Sequence, residues 1–114
     1  MRKTMFLALL VLTGLASPVI SQSVSLDGIA RSVSLFAKLA KHCPSANVII
    51  AARYGMAFND VGTKNYGKAR FDREVAKEMT RRENEVLQTG KAEWCEKQIA
   101  GAERLGLKNI RGKR

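Results

Sequence analysis

Histidine occurs once in this chain, at His42, and tryptophan once, at Trp94. Proline occurs twice and cysteine twice among 114 residues, and aromatic side chains make up only 6%. Each scarcity excludes something. One histidine leaves no imidazole-rich metal cage, because a zinc site wants about three or four ligands. Cys43 and Cys95 with His42 fall short of that set, and adjacent His42 and Cys43 are poorly spaced to chelate one ion. Cys-x-x-Cys is absent, which argues against a thiol oxidoreductase, and Cys-x-x-Cys-His is absent, which excludes c-type haem attachment. There is no Gly-rich phosphate loop and no Gly-x-Ser-x-Gly elbow. No Asn-x-Ser/Thr acceptor occurs either. No cofactor, metal or catalytic residue is therefore expected.

Acid is also scarce. Lys and Arg number 20 against 10 Asp and Glu, a net charge of +10. The excess is uneven. Arg104, Lys108, Arg111, Lys113 and Arg114 bring five positive charges to the last eleven residues, with no acid among them.

What the N-terminus does contain is a compact targeting pattern. Arg2 and Lys3 precede an apolar run, Phe6–Leu12, followed by small residues and Pro18. This is the order of a secretory signal. The run is too short for a membrane span, which needs about 20 mostly apolar residues. Cleavage is expected after Ser21, with Ala16 as the alternative, so residues 1–21 form the signal peptide. Removing 21 of 114 residues leaves 93, one small domain. Without Arg2 and Lys3, 18 basic side chains face 10 acidic ones, a net of +8. The periplasm is the expected location, with full secretion as the alternative.

Export changes the meaning of the cysteines. In an oxidising compartment an even pair predicts a disulfide, Cys43–Cys95. Closing a loop of that length is worth roughly 4 kcal/mol in the chain-entropy model.

Periodicity predicts an all-α fold. Leu26, Ile29, Ala30, Val33, Phe36, Ala37, Ala40 and Cys43 repeat at helical spacing. Ser25 can cap the start and Pro44 forces the end. A second helix is expected from Asn47 to Asp60, with Gly62 as its stop. The stretch Val48–Ile50 alone would also suit a strand. A third helix is expected over 65–88, with Phe71, Val75, Met79 and Val86 on one face and Ala69, Ala76 and Leu87 beside it. A fourth is expected over 91–105, with Ala92, Cys95, Ile99 and Ala102 inward and Trp94 covering the disulfide. The result is a small, closed four-helix bundle over 22–106, stapled by one disulfide. The basic tail, 107–114, has little to bury and is expected to be mobile.

Three places in the sequence hold residues with sharper chemistry. His42 is expected to favour a helix C-terminus for its dipole rather than act as a general base. Haem ligation by His42 with Met56 or Met79 has no supporting motif. Glu74, Glu78, Glu83 and Glu85 could pair for glycoside cleavage. Their neighbours Arg73, Lys77, Arg81 and Arg82 predict instead a salt-bridged, solvated face, with Glu78–Arg82 and Arg81–Glu85 at i, i+4.

The functional expectation is an exported, non-enzymatic accessory protein of the bacterial envelope. Its tail residues Arg104, Lys108, Arg111, Lys113 and Arg114 would contact an anionic surface or acidic partner. Nucleic acid is a poor fit after export. The alternatives are a small hydrolase or ligand carrier whose site is assembled from scattered residues, and a stress chaperone, inhibitor or immunity-type protein.

Overall fold

A computed structural model describes residues 25–112. The expected leader, its cleavage sites, and Lys113 and Arg114 lie outside the described residues. Helices α1 (Leu26–His42), α2 (Val48–Tyr66), α3 (Lys68–Thr89) and α4 (Lys91–Arg104) follow one another with short connections. The fold is an all-helical bundle, and Cys43 and Cys95 are joined in a disulfide with Cα atoms 5.5 Å apart. None of these helices is long and apolar enough to cross a membrane.

The boundaries of α1 follow local chemistry. The Ser25 hydroxyl accepts a hydrogen bond from the Gly28 N–H at 3.2 Å, satisfying one donor of the first turn. Cys43, ahead of Pro44, is extended at φ −112° and ψ 97°, the geometry that proline imposes on its predecessor. At α2 the Asn47 side chain accepts from the Ile50 N–H at 3.2 Å. The possible strand at Val48–Ile50 is helix instead.

Gly62 does not stop α2. It is buried inside the helix, and the fully buried Phe71 ring lies where a Cβ would stand. The stop comes at Gly67, whose φ of +83° suits a residue without Cβ. Gly90, at φ +97°, separates α3 from α4 in the same way.

α1 is central and packs against all three other helices. The core has two parts. One gathers Phe36, Leu39, Val86, Trp94, Ile99 and Ile110 around the Cys43–Cys95 staple. The other packs Ile29 and Ala30 of α1 against Phe71. Trp94 is buried beside the disulfide, as its neighbour Cys95 predicted, but Ala92 faces solvent and Leu87 is exposed. The bundle is not closed all round: α2 and α4 flank α1 without their backbones packing on each other.

The tail is docked through residue 112 rather than mobile. Ile110 is completely buried. Its carbonyl accepts from the Asn47 N–H at 2.7 Å, and the Gly112 N–H donates to the Ser45 carbonyl at 2.7 Å. These bonds flank an antiparallel bridge between Ala46 and Arg111. Ile110, the packed side chain of Leu107 and these backbone bonds help hold a segment whose composition alone reads as loose.

Candidate functional site

Two features outside the core hold chemistry: the distribution of charge, and a cleft beside α1.

The charged side chains of α3 divide: Lys68, Arg70, Asp72, Arg73 and Lys77 keep to the expected solvated face, whereas Glu78, Arg82 and Glu83 turn toward α1. Between α1 and α3 they form a polar seam. Lys38 is buried and donates from Nζ to Glu83 Oε1 at 2.8 Å. His42 Nε2 meets the same oxygen at 3.0 Å. Hydrogen bonding from Lys38, then from His42, holds the Glu83 carboxyl down to about 2 against an ordinary 4.5. One helical turn or two before Lys38, Ser34 and Arg31 face Arg82 and Glu78. Arg82 donates to the Ser34 hydroxyl at 3.4 Å and to the Arg31 carbonyl at 3.4 Å. Glu78, only 8% exposed, accepts from Arg81 Nε at 2.8 Å and stands 4.0 Å from Arg31.

The expected Arg81–Glu85 pair forms, at 2.7 Å. Arg82 pairs with Glu85 at 3.3 Å rather than with Glu78. Trp94 adds its indole N–H to Glu85 at 3.3 Å. Partial burial pushes the Glu85 carboxyl up, but the Trp94 bond and the two arginines outweigh it, so its pKa is lowered. Every buried side-chain nitrogen and oxygen among the described residues has a partner. Buried ion pairs of this kind add little net stability but penalise loss of either member. Glu74, Glu78, Glu83 and Glu85 are thus held by cations, and His42 is held by Glu83 rather than set against a nucleophile. Among the described residues, no three His, Cys, Asp or Glu side chains converge as a metal site.

The basic residues of the C-terminus divide into separate roles. α4 ends in a Schellman turn. The Leu107 N–H donates to the Ala102 carbonyl at 3.1 Å, and the Gly106 N–H donates to the Glu103 carbonyl at 3.0 Å. Gly106 takes the left-handed position at φ +91°. The chain reverses there and returns along α4. Arg111 then grips two carboxylates, Glu96 through both Nη atoms at 2.9 Å each and Glu103 through Nε and Nη2 at 3.1 and 3.0 Å. Hydrogen bonds from Arg111 lower the carboxyls of Glu96 and Glu103 and raise the guanidinium in return. Arg111 is therefore an internal clamp. Arg104 and Lys108 are exposed and have no acidic partner among the described residues.

The same division runs through the whole molecule. Nine of the ten acidic side chains sit in intramolecular ion pairs, and Asp60 has no cationic partner among the described residues. Among the described residues eight cations have no acidic partner: Lys41, Arg53, Lys64, Arg70, Arg73, Lys91, Arg104 and Lys108. Lys64, Arg70 and Arg73 lie around the Gly67 turn, with the Arg70 guanidinium 5.5 Å above the Tyr66 ring. The sequence pointed only to the C-terminal cations; the turn residues become visible once the acids are assigned.

The cleft occupies the gap between α2 and α4, with a volume of about 550 Å³. Leu35, Phe36, Tyr54, Phe58, Ala102 and Leu107 make most of its wall. Sequence periodicity sent Phe36 to the core and missed the cleft. The signal was there in part, since Tyr54 and Phe58 are an aromatic pair at i, i+4 on α2. Among the described residues no carboxylate lines the cleft, and His42 is not part of it. Compared with known proteins, the chain matches no family model, no curated protein and no solved structure.

Proposed function

We propose that this is an exported, non-enzymatic binding protein of the bacterial cell envelope that meets an anionic surface through its exposed cations. The supporting observation is the asymmetry of pairing: nine of ten acids are neutralised within the molecule, while eight described cations are not. Internal pairing removes the local negative charge that would otherwise repel an anion, so the surplus acts outward. Each Lys or Arg near an anionic lipid surface contributes about 1 kcal/mol. The leader pattern and the cysteine pair support export.

Deleting the tail would be a poor test, because it would strip Ile110 from the core. Charge neutralisation is cleaner. Replacing Arg104, Lys108, Lys113 and Arg114 by Gln, with Ile110 and Arg111 kept, should weaken binding to vesicles of anionic lipid by more than about 100-fold at low salt. Cosedimentation reads the effect. Equal binding by this variant and the unmodified protein would overturn the role of the tail, and equal binding to neutral vesicles would overturn the electrostatic mechanism.

A further inference from the structure

The cleft between α2 and α4 carries a second inference, which shares only Arg104 with the surface charge. Its wall includes a stack of three rings. The Phe36 and Tyr54 centroids lie 5.2 Å apart and those of Phe36 and Phe58 6.1 Å apart, both pairs stacked. Rings held against one another in this way form a stiff wall. α2 and α4 both pack on α1 and make no backbone contact with each other, which leaves the gap between them. A volume of about 550 Å³ is in the ordinary range for a small-molecule site, roughly 300–1,000 Å³.

At its edge stands Leu105, 84% exposed. That leucine contributes little to the fold, but an apolar ligand in the cleft would cover it. Polar groups on the lining are few. The Ser32 hydroxyl is already committed to the Gly28 carbonyl at 3.1 Å. The Tyr54 hydroxyl, Gln98 and Arg104 remain. Among the described residues Arg104 is the single charged residue of the lining, and its guanidinium folds back over Gly101, with Nη2 3.7 Å from where a Cβ would stand. The neighbouring acid, Glu103, is already held by Arg111 at 3.0 Å. The lining thus offers aromatic and aliphatic surface with one unmatched positive charge.

We propose that this cleft binds a single-chain anionic amphiphile of the long-chain carboxylate type. The hydrocarbon lies on the Phe36–Tyr54–Phe58 stack and beneath Leu105, and the carboxylate pairs with Arg104. Charge decides between occupants. The apolar segment Phe6–Leu12 carries Arg2 and Lys3 and would bring like charge to Arg104. A second copy of this basic chain would do the same.

Titration calorimetry with dodecanoate, kept below its micelle concentration, tests this. One equivalent should bind, and uncharged dodecanol should bind at least several-fold more weakly, as should dodecanoate to Arg104→Gln. Gly101→Leu fills the cleft from α4 while improving helix propensity, and Leu105→Glu places a negative charge at the edge. Both should lower dodecanoate affinity by about tenfold or more while leaving the circular-dichroism spectrum unchanged. Equal binding of dodecanol, or unchanged binding by a folded Gly101→Leu variant, would overturn the proposal. A dimer that Leu105→Glu dissociates and that ignores dodecanoate would also overturn it, by assigning the cleft to a second copy. The surface-charge proposal fails separately: Gly101→Leu should keep its affinity for anionic vesicles, and Arg70→Gln with Lys108→Gln should keep its affinity for dodecanoate.

Discussion

Gly62 lies against the Phe71 ring, and this contact sets a steric limit inside α2. A methyl group at residue 62 would overlap the ring, and Phe71 is fully buried, so it has nowhere to turn. Gly62→Ala should therefore destabilise the protein by about 1–3 kcal/mol despite the better helix propensity of alanine. Chemical denaturation checks this, and a variant as stable as the parent would contradict the packing. Glycine reads in sequence as a helix stop, and at Gly67 that is its role. At Gly62 the same residue serves close approach, which depends on Phe71 on another helix and so leaves no local mark.

Glu83 makes a pH-dependent contribution at the same scale. Its carboxyl titrates at about 2 in the fold against an ordinary 4.5, because Lys38 and His42 bond the ionised form. A depressed folded pKa means that the stabilisation is fully present above 4.5 and is lost as pH falls toward 2. Urea midpoints should decline across that window, and Glu83→Gln should decline less. Parallel declines would show that Glu83 is not a source of the acid sensitivity. His42 at the end of α1 was legible as a helix-end histidine, but its bond to Glu83, 41 residues away, was not.

Among elements, the last segment departs furthest from its composition. Residues 107–112 look like a solubilising tail, yet Ile110 fills the core and Arg111 clamps Glu96 and Glu103. Ile110→Ala should cost about 2–5 kcal/mol, measured by thermal or urea unfolding. A loss below about 0.5 kcal/mol, typical of surface changes, would mean that the segment is not docked. The α1–α3 seam is hidden from sequence pattern for a related reason. Hydrophobic periodicity assigns charged residues outward, so it places Glu78 in solvent and gives no reason to bury Lys38. What brings them inward is mutual pairing across two helices that lie 40 or more residues apart in sequence. The start and end of α1, by contrast, were fully legible, because a serine cap and a proline act on their immediate neighbours.

At the scale of the molecule, one crosslink joins the end of α1 to the second turn of α4 across 52 residues. The contact of α4 with α1 and α3 is thin beside that of α1 with α2. Replacing both cysteines by alanine should therefore cost about 2–5 kcal/mol and loosen α4 first. Amide exchange would show the loss of protection starting in residues 91–104, and uniform loss across the bundle would contradict that order. The charge is likewise a property of the whole. Composition gave its size, and the C-terminal run gave part of its location. Only the pairing of the acids shows that cations at the Gly67 turn stand free as well.

The most direct test of the central claim is a salt titration of the purified protein against anionic and neutral vesicles. Attraction by exposed cations is screened over about 10 Å at 0.1 M salt. Affinity for anionic vesicles should be strong at 10 mM salt, fall steeply by 300 mM, and be negligible for neutral vesicles throughout, on the order expected from that screening length. Binding that is insensitive to salt, or equal on both surfaces, would contradict the claim.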